Sequence, residues 1–222
     1  MKNAPLRSSP VFGRLQVLQA QVDERNAMTV AASLGATDMV RAEVAAIADL
    51  SFLHKTGLKG PKAGQWLGRY VGDVPQVNSW LLSGEGAVVA RLGQSEFFIE
   101  DRRQADLCAQ IQAAFRHPVD GVYPVQRNDA GFALIGEQAA QLLAEVCSFD
   151  FRQLVTGGVV MSSMAGVSVL VVRSGDGPQQ CYRIWCDPTM AAYLWDTLNE
   201  IALELGGGPV GADTVLSAMP SV

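Results

Sequence analysis

Few residues in this sequence have the types and spacing that catalysis requires. Ser51 and His54 could supply a nucleophile and a base, but a strand cannot position them usefully at this spacing and no orienting acid is evident. Glu85 could act as a general acid or base if it were buried in a cleft. The alternative is a hairpin tip, because Gly84-Glu85-Gly86 is a common turn pattern between two strands. We favour the hairpin tip and expect no catalytic residue in this chain.

The four cysteines and two histidines lack the spacing of metal ligands. No Cys-x-x-Cys pair occurs, and zinc sites usually take their ligands from close pairs. Cys181 and Cys186 share a predicted strand, but a separation of five places them on opposite faces. We interpret them as small apolar residues of the core. We therefore expect no metal site, and no disulfide in a chain of this size without a secretion signal.

The segment Lys59-Gly60-Pro61-Lys62 could bind an anion, because it leads into a predicted helix whose first N–H groups favour negative charge. The alternative is a solvated turn with two exposed lysines. We favour the turn, since every loop that enters a helix offers such N–H groups. Residues that would bind a cofactor are unknown from the sequence.

The four tryptophans divide into two pairs. Trp66 and Trp195 lie on apolar stripes of predicted helices, which favours the core. Trp80 and Trp185 lie on predicted strands with polar neighbours. Because aromatic residues dominate the energetics of protein interfaces, these two are candidates for a partner interface.

Composition indicates a folded protein without a nucleic-acid or membrane partner. Hydrophobic residues make up 49% of the 222 residues and charged residues 18%, enough apolar surface for a core. The net charge of −5 and the lack of Lys/Arg runs argue against nucleic acid. The most apolar stretch, 159–172, is interrupted by Ser and Gly and is too short to span a bilayer. We expect a cytoplasmic protein.

An internal repeat organises the chain. Residues 58–67 match residues 134–143, and the two turn glycines, Gly60 and Gly136, are 76 residues apart. Each segment leaves an apolar strand, turns at its glycine and enters a helix with one apolar face. The matching faces are Ala63, Trp66, Leu67 and Tyr70 in the first copy and Ala139, Leu142, Leu143 and Val146 in the second.

The repeat extends beyond these helices. Apolar strands ending in Arg91-x-Gly and Arg173-x-Gly are each followed by a second strand and by Asp101 or Asp187, which could cap a helix. The last helix carries an apolar stripe and stops at Gly206-Gly207-Gly208. This pattern predicts an α+β fold of duplicated αβ units with mainly antiparallel sheets. The predicted segments are an N-terminal arm (1–45), a first unit (46–120), a second unit (121–206) and a flexible tail (207–222).

Several short motifs resemble the glycine cleavage T protein superfamily. They include Asp49-Leu50-Ser51, then Leu58-Lys59-Gly60-Pro61-Lys62-Ala63, and in the second copy Leu134-Ile135-Gly136-Glu137-Gln138-Ala139 with Arg173-Ser174-Gly175. The folate-binding domain of these aminomethyltransferases is itself a duplicated αβ unit. The resemblance therefore implies the same fold as the repeat.

Within that superfamily the sequence is most similar to the gamma subunits of heterotetrameric sarcosine oxidase. The similarity lies in Arg7-Ser8-Ser9-Pro10-Val11, in Val74–Asn78 and in Ala90–Ile99. It implies a structural, non-catalytic subunit of a complex that oxidatively demethylates sarcosine or a related N-methyl amine and passes the one-carbon unit to tetrahydrofolate. FAD, FMN, NAD and tetrahydrofolate would then belong to larger flavin- and folate-binding partner subunits. This chain indeed lacks Gly-x-Gly-x-x-Gly after a strand.

The sequence also departs from active T proteins. They follow the second Arg-x-Gly with Tyr-Thr-Gly-Glu, whereas here Asp176-Gly177-Pro178-Gln179 follows. They place a catalytic acid beyond the first-unit hairpin, whereas here Ala87-Val88-Val89-Ala90 follows, and their third part has no counterpart. Two alternatives stay open. One is a stand-alone folate-binding aminomethyltransferase-like protein, and the other is a scaffold in another amine dehydrogenase, such as one acting on N-methylglutamate.

Overall fold

The computed structural model describes residues 7–84, 86–102, 105–175 and 180–219. Within these residues the helices are α1 (Phe12–Gln16), α2 (Asp38–Val44), α3 (Ala63–Val71), α4 (Leu107–Ala114), α5 (Ala139–Val146), α6 (Ala191–Glu204) and α7 (Ala212–Ala218), with a 3-10 turn at Phe151–Gln153. The strands are β1 (Gln21–Arg25), β2 (Met28–Ser33), β3 (Ala46–Asp49), β4 (Lys55–Lys59), β5 (Ser79–Leu82), β6 (Val88–Arg91), β7 (Glu96–Glu100), β8 (Tyr123–Val125), β9 (Ala130–Ile135), β10 (Val159–Met164), β11 (Val167–Ser174), β12 (Cys181–Cys186) and β13 (Gly208–Pro209).

The chain folds into two compact units. Within the described residues, unit one comprises 7–52, 129–156 and 160–219, and unit two comprises 53–128 and 157–159. The sheet of unit one has the strand order β10-β11-β12-β9-β3-β13, and the sheet of unit two has the order β5-β6-β7-β4-β8. The pairs β11–β12, β12–β9, β3–β9, β4–β7, β4–β8, β5–β6 and β6–β7 are antiparallel, and β13 pairs with β3 in parallel. The predicted α+β fold with mainly antiparallel sheets is confirmed.

Each sheet contains four strands of one repeat and the strand that precedes the other repeat, and the sheet of unit one also contains β13. The order β5-β6-β7-β4 in unit two matches β10-β11-β12-β9 in unit one. The strand that precedes the first repeat, β3, pairs with β9, and the strand that precedes the second repeat, β8, pairs with β4. Tyr123 lies opposite Lys59 and Ala46 lies opposite Ile135, which is 76 residues after Lys59. The duplication is therefore reciprocal, because each unit is completed by a strand from the other half of the sequence.

The helices bury the faces that the repeat predicts. In unit two, Ala63, Trp66 and Leu67 of α3 are buried in one cluster with Leu58 and Phe97 of the sheet. Unit one is equivalent: its apolar cluster joins α5 and α6 to the sheet through Ala139, Leu142, Leu143, Ala191, Leu194, Trp195 and Leu198. Tyr70 differs from the prediction. It lies at the edge of the α3 stripe, 37% exposed, and its ring contacts the Trp66 ring at a centroid distance of 4.8 Å.

The two turn glycines lie against carbonyl oxygens that permit no side chain. Gly60 has φ +133° and Gly136 has φ +109°. A Cβ atom would lie 2.3 Å from the Gly121 oxygen at position 60 and 2.4 Å from the Val44 oxygen at position 136. These oxygens accept hydrogen bonds from the Lys62 and Gln138 N–H groups, at 3.1 and 2.8 Å. Each helix entry is therefore held by the residues just before the exchanged strand.

The two ends of the chain are more regular than the sequence suggested. The predicted arm contains α1, the β1–β2 hairpin and α2, and both Leu15 of α1 and Val11, just before this helix, are buried. The prediction of a flexible tail from residue 207 is wrong for 208–218, because β13 pairs with β3 and α7 buries Val215 and Leu216. The limits 46–120 and 121–206 describe the sequence repeat and stay a prediction as domains.

Replacing Gly136 tests the carbonyl contact. Gly35 is the matched control, since its φ of +105° is similar and a Cβ there would meet nothing within 4 Å. Both alanine variants incur the backbone strain, about 1–3 kcal/mol. Only Gly136→Ala adds the overlap with Val44, about 1–3 kcal/mol more. Guanidinium unfolding should therefore show a clearly lower free energy of unfolding for Gly136→Ala than for Gly35→Ala. Equal losses would contradict the role of the carbonyl.

Candidate functional site

Buried charge in unit two concentrates where β4 begins and β7 ends. We call Lys55, Glu100 and Asp101 the charge corner. The side chains of Lys55 and Glu100 are 2% and 0% exposed, and Lys55 Nζ lies 3.4 Å from Glu100 Oε2 and 2.9 Å from the Leu53 carbonyl oxygen. The antiparallel register of β4 and β7 sets Lys55 directly opposite Glu100. Two charges in such a site stabilise one another, and removal of one partner from such a pair typically costs about 3–5 kcal/mol.

The same face of β7 carries a second charged contact. Because side chains alternate along a strand, Glu96, Phe98 and Glu100 share one face. Arg127 Nη2 donates to Glu96 Oε1 at 2.9 Å, and the guanidinium carbon of Arg127 lies 5.7 Å from the centre of the Phe98 ring. This face therefore presents an ion pair at each end and a cation–π contact between them.

Asp101 connects the charge corner to helix α4. Its carboxylate accepts the Cys108 N–H at 3.1 Å, and its own N–H donates to the His54 carbonyl at 2.9 Å. Burial raises the pKa of Asp101 from the ordinary 3.8 to about 6, against the opposing effect of the Cys108 N–H. Burial also raises the pKa of the Cys108 thiol. As predicted, the Asp101 side chain caps a helix, because it accepts an N–H of the first turn of α4. The residue at the helix boundary, however, is Asp106.

In unit one the Asp49-x-Ser51 motif joins three segments. Asp49 accepts the Ser51 N–H at 3.0 Å and a short hydrogen bond from the hydroxyl of Ser9. Ser51 Oγ in turn accepts the N–H of Gly131, at 3.1 Å, where β9 begins. The motif therefore fixes the N-terminal arm and the start of β9 to the end of β3. Ser51 is used as a hydrogen-bond acceptor rather than presented to solvent.

Unit one also has a shallow groove of about 430 Å³ between α2 and the end of α6. Its lining is mostly apolar and includes Val40, Leu203 and Arg41. The Arg41 guanidinium is engaged there, since Nη1 donates to the Pro209 carbonyl at 2.8 Å. Across the described ranges, no three His, Cys, Asp or Glu side chains are arranged to hold a metal ion.

The structure separates the two tryptophans proposed for a partner interface. Trp185 is 1% exposed, because β12 lies inside its sheet and all its residues are buried. The Arg183 guanidinium lies over its ring at 5.2 Å. The surface interpretation of Trp185 is therefore wrong. Trp80 is half-buried on the edge strand β5, and its role at an interface stays a prediction.

Most of the other candidate residues take part in structural contacts or are buried in the core. Lys62 Nζ pairs with Asp120 at 2.5 Å, and the Lys62 N–H is bound to Gly121, which favours the turn over the anion site. Cys181 and Cys186 are both buried, and Cys186 alone joins the apolar cluster under the helices. Trp66 and Trp195 lie in the core as predicted. Glu85 and 176–179 lie outside the described residues, so the hairpin-tip interpretation stays a prediction.

The pairing of Lys55 and Glu100 was not predicted from the sequence, although the sequence contains a pattern that indicates it. The strand 55–59 reads Lys-Thr-Gly-Leu-Lys and the strand 96–100 reads Glu-Phe-Phe-Ile-Glu. If these two strands pair antiparallel with their ends aligned, a lysine lies opposite a glutamate at each end. The signal is usable only once the two strands are known to be neighbours.

Comparison with known proteins agrees with this architecture. The structure resembles the glycine cleavage system aminomethyltransferase T from Bartonella henselae, with a TM-score of 0.75 and 16% identity over 95% of this chain. It also resembles a chain of the heterotetrameric sarcosine oxidase from Corynebacterium sp. U-96, with a TM-score of 0.65 and 21% identity over 91% of this chain. This chain spans 61% of the aminomethyltransferase and 98% of the sarcosine oxidase chain. At these identities the similarities show the fold.

The duplicated α+β architecture is thus that of an aminomethyltransferase-type domain. A family model described as the GCVT N-terminal domain matches residues 23–218, and the chain belongs to that family. No curated protein matches it. Among the residues placed by the structure, no helix is long and apolar enough to cross a membrane.

The raised pKa of Asp101 predicts a pH dependence of stability. Between pH 3.8 and about 6 the folded protein holds a proton that the unfolded chain releases. The contribution of Asp101 to the free energy of unfolding therefore falls as the pH rises through that window, by up to about 3 kcal/mol. We expect the free energy of unfolding of the wild type, relative to that of Asp101→Asn, to fall as the pH rises from 4 to 7. Asp73→Asn, at an exposed position of unit two, controls for the loss of one charge. A difference that stays constant with pH would refute the assignment.

Proposed function

We propose that this chain is a gamma-type accessory subunit of a heterotetrameric sarcosine-oxidase-like complex in the cytoplasm. The complex would oxidatively demethylate sarcosine or a related N-methyl amine and transfer the one-carbon unit to tetrahydrofolate. Larger subunits would carry FAD, FMN, NAD and tetrahydrofolate, and this chain would contribute a folded surface rather than a catalytic group.

The extent of the structural similarity carries this proposal. The fold of this chain accounts for 98% of the sarcosine oxidase chain but only 61% of the aminomethyltransferase. An aminomethyltransferase-type domain can therefore serve as nearly the whole of a chain in a multisubunit oxidase. The motifs of Arg7–Val11, Val74–Asn78 and Ala90–Ile99 support the same assignment.

The surroundings of the buried carboxylates also support a structural role. Asp38 Oδ2 accepts the N–H groups of Leu34 and Gly211, at 2.9 and 3.3 Å, and so holds the start of α7. Glu100 pairs with Lys55, and Asp101 binds the first turn of α4. Catalytic acids and bases need access to a reacting group. These three carboxylates instead join segments of the fold.

A stand-alone folate-binding aminomethyltransferase-like protein is the alternative. The similarity to aminomethyltransferase T, which covers 95% of this chain, favours it. Against it, the strand after the first-unit hairpin is Val88-Val89-Ala90-Arg91 and supplies no carboxylate where T proteins place their catalytic acid.

Purification from the cells that make this protein tests the proposal. The chain, tagged at one end and expressed at its natural level, should bring down larger subunits with bound flavin in fixed ratio. The purified material should oxidise sarcosine or another N-methyl amine, as measured by flavin reduction and hydrogen peroxide release. Recovery of the tagged chain as a stable monomer without flavin protein would contradict the proposal.

A further inference from the structure

We propose that the outer edge of β1 is where a larger subunit of the complex adds an extended strand. This inference rests on the proposed function, since it names the surface through which the accessory subunit would bind. The docking edge consists of Gln21–Arg25 together with the exposed apolar side chains of Val17 and Leu18.

The docking edge is open in the described structure. β1 pairs with β2 in a two-stranded sheet, and no further described strand pairs with β1. Gln21, Val22, Asp23 and Glu24 are all exposed. An edge strand of this kind offers its unpaired backbone groups to another chain.

The hairpin geometry identifies which backbone groups point outward. The two loop residues, Asn26 and Ala27, have φ values of 50° and 58°, as in a type I′ turn. Arg25 and Met28 flank this loop, so they form a hydrogen-bonded pair, and the pairs then alternate along the strands. The N–H and carbonyl groups of Val22 and Glu24 therefore point away from β2. They are two residues apart, the spacing at which a new strand forms its ladder.

One outward group is protected until a partner arrives. The Glu24 N–H donates to Asp23 Oδ1 at 2.8 Å. Such a local hydrogen bond competes with strand pairing and discourages nonspecific association. A carbonyl of an added strand would replace the Asp23 carboxylate at this N–H.

Ion pairs anchor the docking edge and the helix before it to other parts of unit one. Arg14 of α1 forms two hydrogen bonds with Asp196, at 2.5 and 2.6 Å, and Arg25 forms two with Asp213, at 2.6 and 3.0 Å. Leu15 of α1 is buried in the core. Preorganisation of this kind reduces the entropy lost on binding.

Apolar side chains are exposed on β1 and just before it in the chain. Val17, Leu18 and Val22 are 77%, 46% and 57% exposed, and they follow one another closely in the chain. An added strand would pack beside Val22, the one of these residues that lies on β1. Val22 therefore favours a partner segment that carries apolar residues opposite it.

The charge of the docking edge favours a different chain, rather than a second copy of this one, as the partner. Self-pairing of β1 centred on Asp23 would oppose two Asp23 side chains, and pairing centred on Glu24 would oppose two glutamates. Like charges directly opposite each other destabilise a sheet. Pairing centred on Val22 would leave only residues 21–23 in register. Including Asp196 and Asp213, the docking edge carries four carboxylates against two guanidiniums, so the geometry favours a partner strand with Lys or Arg opposite Asp23 and Glu24.

The purified complex tests this surface with three variants of the tagged full-length chain. Val22→Lys places a charge at this apolar position, and Val22→Pro removes the outward N–H without removing a donor to β2. Val155→Lys is the matched control, a 70% exposed valine outside the helices and strands. We expect both Val22 variants to lower the flavin recovered per tagged chain by about tenfold, the effect of one lost buried hydrogen bond or a buried charge. Val155→Lys should match the wild type.

Each other outcome overturns the proposal in a distinct way. Wild-type recovery by Val22→Lys and Val22→Pro would exclude this surface while leaving the complex in place. Absence of flavin protein with the wild-type chain would contradict the proposed function and this inference together. A homodimer of the isolated chain that Val22→Lys dissociates would show a second copy as the occupant. Circular dichroism melting of both lysine variants confirms that they are folded.

Discussion

The contact between a carbonyl oxygen and a glycine is the constraint on which the rest of this structure depends. At Gly136 the oxygen of Val44 occupies the space of a side chain, and at Gly60 the oxygen of Gly121 does so. Each oxygen belongs to the residues just before an exchanged strand. The glycine, the helix entry and the fifth strand of the sheet are therefore set by one local arrangement, used twice. This arrangement makes the two halves of the sequence dependent on each other.

The same arrangement restricts the chemistry of the helix entries. The N–H groups of Lys62 and Gln138 bind these carbonyls, so two of the groups that could hold an anion are already satisfied within the chain. Buried charge is likewise used for structure. Lys55 and Glu100 pair across two strands, and Asp101, whose pKa is raised by burial, binds the start of α4. The charged groups that the fold buries at the charge corner and around Asp38 thus position elements.

Local features of this fold could be predicted from the sequence, and non-local pairings could not. The helix faces follow from apolar spacing, and the positions of Gly60 and Gly136 follow from the repeat. The exchange of β3 and β8 has no local signal, because a strand carries no mark of which sheet it joins. Trp185 was misjudged for this reason: its polar neighbours suggested a surface, but the central place of β12 in its sheet decides its burial. The C-terminal residues were misjudged similarly, since β13 depends on pairing with β3.

In the proposed function, an aminomethyltransferase-type domain supplies structure to a larger enzyme and has no folate chemistry of its own. Calorimetric titration of the isolated chain with tetrahydrofolate tests this claim most directly. We expect no saturable binding in the micromolar range, because folate would be held by a partner subunit. Micromolar, stoichiometric binding by the isolated chain would contradict it and would favour a folate-binding aminomethyltransferase-like protein.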